Sequence, residues 1–369
     1  MAIFKSLNTS TFNPSKTHFF QPQMKEYKAD VVVAGGGIAS IVTAFELLNE
    51  GKSVVLLERG KEENFGGLAK DSFGGMFFVN SPQQRRAGMN DSPELALRDW
   101  HSVADFTKED VLPKKWAEQY VNVCTDHVQT WLSGLGVKYF PVVHWVERGK
   151  HGPGNSLPRF HMVWGTGHGL AMTMIDQLIN HPKAQEKLRL CFDHKCEEII
   201  TEGGRVCGIN GISEIDGSQF VATADNVVVG TGGMGGSLQR VREHWYKPWG
   251  EPPKRILNGC NPFCDGTMHD AVGKLNGNLT HLDYHWHYAA GVHHPRPKFE
   301  NHGLSLVPPK SALWLDHCGK RFGPDPLVTA YDTRWLVEEI CDQEKKYSWQ
   351  VLNMKIMQKE FAISGSEFN

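Results

Sequence analysis

The chain has 369 residues, of which 39 are basic and 41 acidic, so its formal net charge is −2 when His is neutral. Hydrophobic residues make up 40% and charged residues 22%, a composition that excludes a disordered chain, a collagen-like fibre and a long coiled coil. The near-zero charge gives no reason to expect a nucleic acid partner. The length predicts two domains or one large one. The 38 glycines indicate many tight turns or close approaches of backbone to a ligand.

The eight cysteines are scattered along the chain, unlike those of a small disulfide scaffold. Cys260 and Cys264 form a CxxxC pair, but no second pair follows at a zinc-like spacing, so no metal site is predicted. Free thiols indicate a reducing compartment, and we expect a cytoplasmic protein. The sequence contains no run of about 18 apolar residues, so no transmembrane segment is predicted. Residues 1–28 are predicted to be a disordered leader, with an organelle address as the alternative.

A complete β-α-β unit is predicted over residues 29–59. The apolar run at 31–33 is typical of a strand buried on both faces of a parallel sheet. Apolar residues recur at helical spacing over 38–48 and predict a helix. A second apolar strand at 54–57 ends at Glu58.

The glycines between the first strand and the helix carry the chemistry of this unit. Gly35 allows a tight turn, and Gly37 lets a pyrophosphate approach the backbone at the positive end of the helix. Glu58 can accept hydrogen bonds from ribose hydroxyls and would repel a 2′-phosphate, which disfavours NADP. Ser40 stands where the third glycine of the usual motif is found, and its small side chain is compatible with close packing. The predicted dinucleotide contacts are Gly35, Gly36, Gly37, Ile38, Ala39, Ser40, Glu58 and Arg59.

A glycine-rich loop follows over residues 64–78. An NAD-binding domain would continue into another helix and strand, whereas an extended loop with a hydroxyl group suits the edge of a flat flavin ring. The alternatives are a surface turn cluster and an NAD-linked enzyme. The predicted flavin contacts in this loop are Gly66, Gly67, Ser72, Gly74 and Gly75.

The β-α-β unit, the DSFGG loop and a later VVVGTGGMGG segment together resemble the superfamily of fumarate reductases, succinate dehydrogenase flavoproteins and ketosteroid dehydrogenases. The most similar branch is that of the FAD-binding dehydrogenases, and the resemblance runs from about residue 29 to the last residue. Other segments that carry it are SPQQRRAGMNDSPELALRDW (81–100), WLSGLGVKYFPVVHWVERG (131–149), GNSLPRFHMVWGTGHGL (154–170), PPKRILNG (252–259) and SALWLDHCGKRF (311–322).

The resemblance implies an α/β fold, in which a Rossmann-like FAD-binding domain with a parallel sheet occupies residues 29–280. A partial α+β cap, or substrate domain, is expected over 281–369. Relatives with covalent flavin attach it through a His after the glycine-rich loop. This chain has no His between Glu58 and Trp100, so we expect noncovalent FAD.

The middle of the chain predicts helices over 94–136 and 170–181, then strands at 188–192, 196–200, 206–209 and 225–230. The second helix follows a Gly-Thr-Gly at 165–167, which is either a simple helix cap or, as in the family, an approach to the flavin. The resemblance places the backbone at Cys196 beside the adenine. The loop containing Thr231, Gly232 and Gly233 returns the chain to the cofactor at the end of a parallel strand.

Residues 282–294 are the densest aromatic and His cluster of the sequence. Three interpretations remain open: a metal site, ordinary packing, or a substrate pocket in which His287 and Tyr288 bind or protonate substrate. Arg159 and His161 are weaker candidates, since Arg is a natural clamp for a carboxylate. Arg321 lies in a Gly-Lys-Arg-Phe motif found across the superfamily and is either a catalytic residue or part of a structural ion pair.

The resemblance implies an FAD-dependent oxidoreductase that transfers hydride between flavin and a C–C bond of a small organic substrate. The electron donor or acceptor is not indicated. Relatives continue for a long segment after the position of Asn369, so the chain is expected to be truncated. The alternative is a truncated, catalytically impaired nucleotide-binding protein with weak FAD binding.

Overall fold

The structure is a computed structural model that describes residues 24–145, 152–307, 309, 311–322 and 333–364. Residues 1–23 of the expected leader lie outside the described residues. The end of that leader is corrected, because Lys25–Lys28 form a strand parallel to Gln219–Thr223. Tyr27 is the one buried residue of this strand, and its side chain packs against the core.

The elements follow in chain order. The strands are β1 (Lys25–Lys28), β2 (Val31–Ala34), β3 (Val54–Leu57), β4 (Gly75–Phe77), β5 (Phe160–Met162), β6 (Leu188–Cys191), β7 (His194–Glu202), β8 (Arg205–Ser213), β9 (Gln219–Thr223), β10 (Asn226–Val229), β11 (Gly291–His293), β12 (Gly303–Val307), β13 (Leu313–Leu315), β14 (Trp349–Val351) and β15 (Ala362–Ser364). The helices are α1 (Ile38–Asn49), α2 (Pro82–Arg86), α3 (Pro93–Ala104), α4 (Val111–Val123), α5 (Thr130–Gly134), α6 (Thr166–Ile179), α7 (Ala184–Lys187), α8 (Leu238–Glu243), α9 (Thr267–Lys274), α10 (Thr333–Cys341) and α11 (Met354–Glu360).

The predicted parallel sheet is confirmed, with strand order β10-β2-β3-β6 and every pairing parallel. All residues of β2 and β3 are buried, which explains why their sequences are continuous apolar runs rather than alternating ones. Helices α1 and α6 pack together against one face of this sheet, with Ile41, Leu48 and Met174 fully buried between them. The carboxyl ends of β2, β3 and β10 therefore meet at one edge.

A second sheet, of order β1-β9-β8-β7, covers the opposite face. Its residues Ile209 and Phe220 share a core with Val32 and Val55 of the parallel sheet. The predicted hairpin between β7 and β8 is confirmed, and its turn glycines, Gly203 and Gly204, have φ of 57° and 80°. Positive φ is the conformation for which glycine is favoured.

The insertion between β3 and β6 contains α2 to α7 and the short antiparallel pair β4–β5. The predicted helical stretch 94–136 is divided among α3, α4 and α5, and a π-helical segment, Cys124–Gln129, joins the last two.

The later part of the chain forms a small antiparallel sheet, β11-β12-β15, a β13–β14 pair and helix α10. One core joins Trp245 and Trp249 to Val337 and Cys341, so side chains pack across the expected boundary at residue 280. The two-domain division stays a prediction. Among the described residues, no helix is both long and apolar enough to cross a membrane.

Candidate functional site

The turn after β2 is shaped by close backbone contact. Gly35 has φ of 95°, and a Cβ atom there would lie 2.5 Å from the carbonyl oxygen of Gly230 at the end of β10. A side chain would therefore be strained and would collide with the neighbouring strand. The predicted tight turn at Gly35 is confirmed, and its cause is the approach of Gly230, which the sequence analysis did not single out.

Gly37 differs from Gly35 because the space above it is open. It is the N-cap of α1, has an ordinary φ of −77°, and a Cβ there would meet no atom within 4 Å. Gly67 lies on another side of Gly37, and a Cβ atom added to Gly67 would lie 2.9 Å from the Gly37 Cα. The amide end of α1 thus faces an opening at a position where backbone alone forms the wall, which suits a pyrophosphate.

The first turn of α1 is held against β10. Ser40 is 1% exposed, and its hydroxyl donates a hydrogen bond of 3.3 Å to the carbonyl oxygen of Gly230. This serine therefore takes the close-packing role of the third glycine. The Ile38 side chain lines an apolar recess of about 240 Å³ beside Met76 and Trp131, so its contribution to a ligand at the helix end would come from the backbone.

Glu58 lies at the end of β3, directly beside the glycine turn. Its carboxylate accepts hydrogen bonds from the backbone N–H groups of Gly36 at 2.5 Å and Gly60 at 2.6 Å. Burial raises the pKa of Glu58, and the two backbone hydrogen bonds oppose that rise. A carboxylate has about four lone-pair positions. Glu58 consequently retains acceptor capacity for a hydroxyl group while its orientation is fixed.

The Arg59 side chain forms ion pairs with other residues of the chain. Its guanidinium pairs with Glu214 at 2.6 Å and with Asp265 at 2.7 Å, and it lies 5.0 Å from the ring centroid of Phe263. These contacts hold the loop before α9 against the end of β3. The predicted cofactor contact at Arg59 stays a prediction. Its ion pairs were not predicted from the sequence, because Glu214 and Asp265 are far away in the chain.

The glycine-rich loop is held by the start of α6. The backbone N–H of Gly167 donates to the carbonyl oxygen of Ser72 at 2.8 Å, and a Cβ at Gly74 would lie 2.7 Å from the Gly167 nitrogen. The Ser72 hydroxyl donates to the Ala69 carbonyl at 2.8 Å and accepts from the Gly74 N–H at 3.0 Å. The Gly-Thr-Gly segment therefore does more than cap a helix, because it fixes the shape of this loop.

The remaining predicted cofactor residues lie around the same opening. Gly232 and Gly233 are exposed after β10, and a Cβ at Gly232 would lie 3.3 Å from the Cys264 sulfur. Burial raises the pKa of both Cys196 and Cys264, and the nearby charge of Glu58 adds to each rise. Both thiols therefore stay protonated at neutral pH beside Glu58. Thr231 connects β10 to these glycines, and its Cα is 2.9 Å from a Cβ placed on Gly35.

The three predicted catalytic residues have different surroundings. His287 packs between Trp245 and Trp249, with ring-centroid distances of 4.8 Å and 5.8 Å. Burial lowers the pKa of His287 to about 4, so it is a neutral imidazole at neutral pH. Tyr288 is 46% exposed. Arg321 is exposed and pairs through its backbone with Leu315 beside β13.

The suggestion that Arg159 clamps a substrate carboxylate is wrong. Arg159 is fully buried and pairs with Asp91 at 2.7 Å and Asp99 at 2.6 Å, so two internal carboxylates neutralise it. His161 is also fully buried, and its Nε2 lies 2.7 Å from the Ser81 hydroxyl oxygen. This cluster fastens the insertion together, and it has no exposed group to offer a substrate.

The chain matches one family model and is similar to two relatives of known name. The family model described as the FAD binding domain matches residues 30–369. The chain is 40% identical over 358 residues to a KsdD-like steroid dehydrogenase of Mycobacterium tuberculosis, covering 92% of this chain and 62% of the relative. It is 27% identical over 260 residues to the urocanate reductase of Eggerthella lenta, covering 69% of this chain and 39% of that protein. The chain thus spans less than two thirds of the length of these relatives.

Solved structures share the fold. The 3-ketosteroid-Δ4-(5α)-dehydrogenase of Rhodococcus jostii, in complex with 4-androstene-3,17-dione, gives a TM-score of 0.65 at 19% identity, covering 90% of this chain and 68% of that one. The open conformation of a flavocytochrome c3 fumarate reductase gives 0.67 at 18% identity, covering 90% and 54%. The opening bounded by Gly37, Glu58 and the glycine loops lies where such an α/β fold binds ligands, at the carboxyl ends of parallel strands.

Proposed function

We propose, from the premise that this chain belongs to the FAD binding domain family, that it is an FAD-dependent oxidoreductase acting on a CH–CH group of a small organic substrate. Its cofactor is FAD. The observation that carries the proposal is the open backbone wall at Gly37, which stands at the start of α1 with the Glu58 carboxylate beside it. A diphosphate requires backbone N–H groups that no side chain blocks, and the ribose next to it requires a hydrogen-bond acceptor.

Each part of the opening would have its own task in holding the cofactor. The first amides of α1 would bind the diphosphate, and Glu58 would accept from a ribose hydroxyl while Gly36 and Gly60 keep it in place. The glycine loops at 66–75 and 231–233 would line the rest of the cofactor, which we expect to be bound noncovalently. Bound FAD supplies the two-electron chemistry. The chain contributes binding, orientation and the exclusion of water.

We propose an uncharged alicyclic ketone as the substrate class. Support comes from the identity to proteins named steroid dehydrogenases, which is higher and covers more of the chain than that to urocanate reductase. Burial of Arg159 beside two aspartates points the same way, because that cation is not available for a carboxylate. His287 and Tyr288 stay the proposed substrate contacts, and Arg321 stays a candidate. A separate electron donor or acceptor would complete the cycle.

A second candidate function is a reductase of unsaturated acids, favoured by the likeness to urocanate reductase. The catalytically impaired nucleotide-binding protein is the third. We place the protein in the cytoplasm, a location with which the free thiols among its described residues are compatible.

Anaerobic flavin spectroscopy separates these functions. The purified protein, loaded with FAD, is mixed with 4-androstene-3,17-dione, and in a second experiment the reduced protein is mixed with fumarate or urocanate. We expect bleaching of the flavin band by the dione and no reoxidation by the acids. Reoxidation by an acid alone would favour the second candidate, and stoichiometric FAD without either response would favour the third. Acid precipitation should release the flavin into the supernatant, whereas flavin retained by the polypeptide would contradict noncovalent binding.

A further inference from the structure

Four ring side chains form a cluster that the proposed cofactor site does not use. We call Trp245, Trp249, His285 and His287 the Trp–His box. Trp245 and Trp249 have their ring centroids 6.1 Å apart, and both rings contact His287. The His285 ring lies 5.9 Å from that of His287. The box is thus a continuous group of rings rather than four separate side chains.

The box contains buried nitrogen atoms that lack partners. Trp245 and Trp249 are only 8% and 9% exposed, and their Nε1 atoms have no hydrogen-bond partner within the described part of the chain. The Nε2 atoms of His285 and His287 are likewise buried without a partner among those residues. Native proteins satisfy nearly all buried polar groups, and indole N–H is a donor only. Such atoms concentrated in one cluster indicate missing hydrogen-bond partners, and the two indole groups require an acceptor.

The box carries no charge at neutral pH. Burial lowers the pKa of both His285 and His287, and in each case a neighbouring imidazole lowers it further. Asp283 opposes the shift at His285, while His244 adds to it. Neutral donors can satisfy a ketone or hydroxyl oxygen, but they cannot compensate the lost hydration of a carboxylate.

The position of the box relates it to the proposed cofactor loop. Ser237, the N-cap of α8, directly follows the glycine segment ending at Gly236, and Asn258 donates to the Gly236 carbonyl at 3.0 Å. Helix α8 has six residues and is therefore about 9 Å long. Trp245 comes two residues after the helix ends. Helix α8 therefore connects the glycine loop to the first residue of the box.

We propose that the Trp–His box binds an uncharged carbonyl or hydroxyl oxygen of an apolar substrate. This inference rests on the proposed function and assigns its specificity to the four ring residues. It also gives His287 a binding role, in which the neutral imidazole offers a hydrogen bond to substrate.

The test compares ligands and variants in the FAD-loaded full chain. The probes are 4-androstene-3,17-dione and the 17β-carboxylate of the same ring system, and their dissociation constants are measured by equilibrium dialysis. Trp245→Phe and Trp249→Phe each keep an aromatic ring and remove one N–H donor. Trp286→Phe is the matched control, because Trp286 is 75% exposed and outside the box.

We expect the dione to bind at least about tenfold more tightly than the carboxylate. Each box variant should weaken dione binding by about 3- to 10-fold, the usual range for one hydrogen bond. The control should leave it unchanged, and all variants should retain stoichiometric FAD. In flavin-reduction kinetics the box variants should raise KM and leave kcat nearly unchanged, as expected for an interaction made equally in the ground state and the transition state.

Equal affinity for the two probes, or dione binding unaffected by both box variants, would overturn the assignment of the box. Failure of the proposed function is a different result. If the dione binds in a box-dependent manner but never reduces the flavin, the box stands and the proposed reaction fails. If the dione reduces the flavin with the same KM in every variant, the reaction stands and the box fails.

Discussion

The opening around Gly37 and the Trp–His box differ in whether their polar groups have hydrogen-bond partners within the described protein. Around Gly37 the Glu58 carboxylate is already bonded by two backbone N–H groups, so this region is shaped before any ligand arrives. In the box the Trp245 and Trp249 nitrogens are buried and lack partners among the described residues. The cofactor region is therefore preorganised by backbone, whereas the box, in our proposal, is completed by its ligand.

A fully satisfied buried network provides the reference for this comparison. Arg159 bonds Asp91, Asp99 and Asn155 without any exposed atom, so Arg159→Met would leave two buried carboxylates without their cation. We expect a loss of about 3–5 kcal/mol in the free energy of unfolding, measured by urea denaturation. The control is Arg334→Met, which breaks a half-exposed pair with Asp105 and should cost less than about 1 kcal/mol. Equal losses would show that burial is not what gives the Arg159 network its strength.

Gly35→Ala tests the preorganised region. The strain of a left-handed residue costs about 1–2 kcal/mol, and displacement of the Gly230 carbonyl adds to it. Gly203 also has a positive φ, but a Cβ atom there would have no neighbour within 4 Å. Gly203→Ala therefore measures the backbone strain alone. We expect Gly35→Ala to lose more stability than Gly203→Ala in urea titrations and to be purified without FAD. A yellow, equally stable Gly35→Ala protein would contradict the backbone account.

The acid sensitivity of the box follows from His287. Its pKa is lowered from 6.5 to about 4 in the folded protein, so the unfolded chain takes up the proton first as the pH falls. The contribution of His287 to the free energy of unfolding is fully present above about pH 6.5, and it is lost progressively as the pH falls to about 4. The difference in unfolding free energy between wild type and His287→Gln should shrink over this interval. A constant difference across the interval would mean that His287 titrates normally.

Ser40→Ala should give the smallest effect. It removes only the long hydrogen bond to Gly230 and leaves the packing of α1 intact, so the expected loss is about 0.5–1.5 kcal/mol by thermal unfolding. FAD content should be unchanged. A loss as large as that of Gly35→Ala would make Ser40 a principal determinant of the turn rather than a substitute for glycine.

The sequence predicts the β-α-β unit well because short-range rules determine it. The apolar runs of β2 and β3, the glycine turn and the helical spacing of α1 are local patterns, and the structure has all of them. Contacts between distant residues are different. The approach of Gly230 to Gly35 and the pairing of Arg59 with Asp265 depend on chain topology, and no local pattern encodes them.

The sequence indicated only part of the Trp–His box. The density of His and aromatic residues after residue 281 marked His287, but Trp245 and Trp249 come from another part of the chain. Arg159 shows the opposite error, since an arginine in a suggestive motif proved to be neutralised inside the protein by Asp91 and Asp99.

The FAD dissociation constant of Gly37→Ala, measured against that of wild type, tests the central claim most directly. The methyl group has free space in the ligand-free protein, so the melting temperature without FAD should stay nearly unchanged. A diphosphate resting on this backbone would meet the methyl group, and we predict at least about tenfold weaker FAD binding, equivalent to about 1.4 kcal/mol. Wild-type affinity in Gly37→Ala would contradict the claim that the cofactor passes over Gly37.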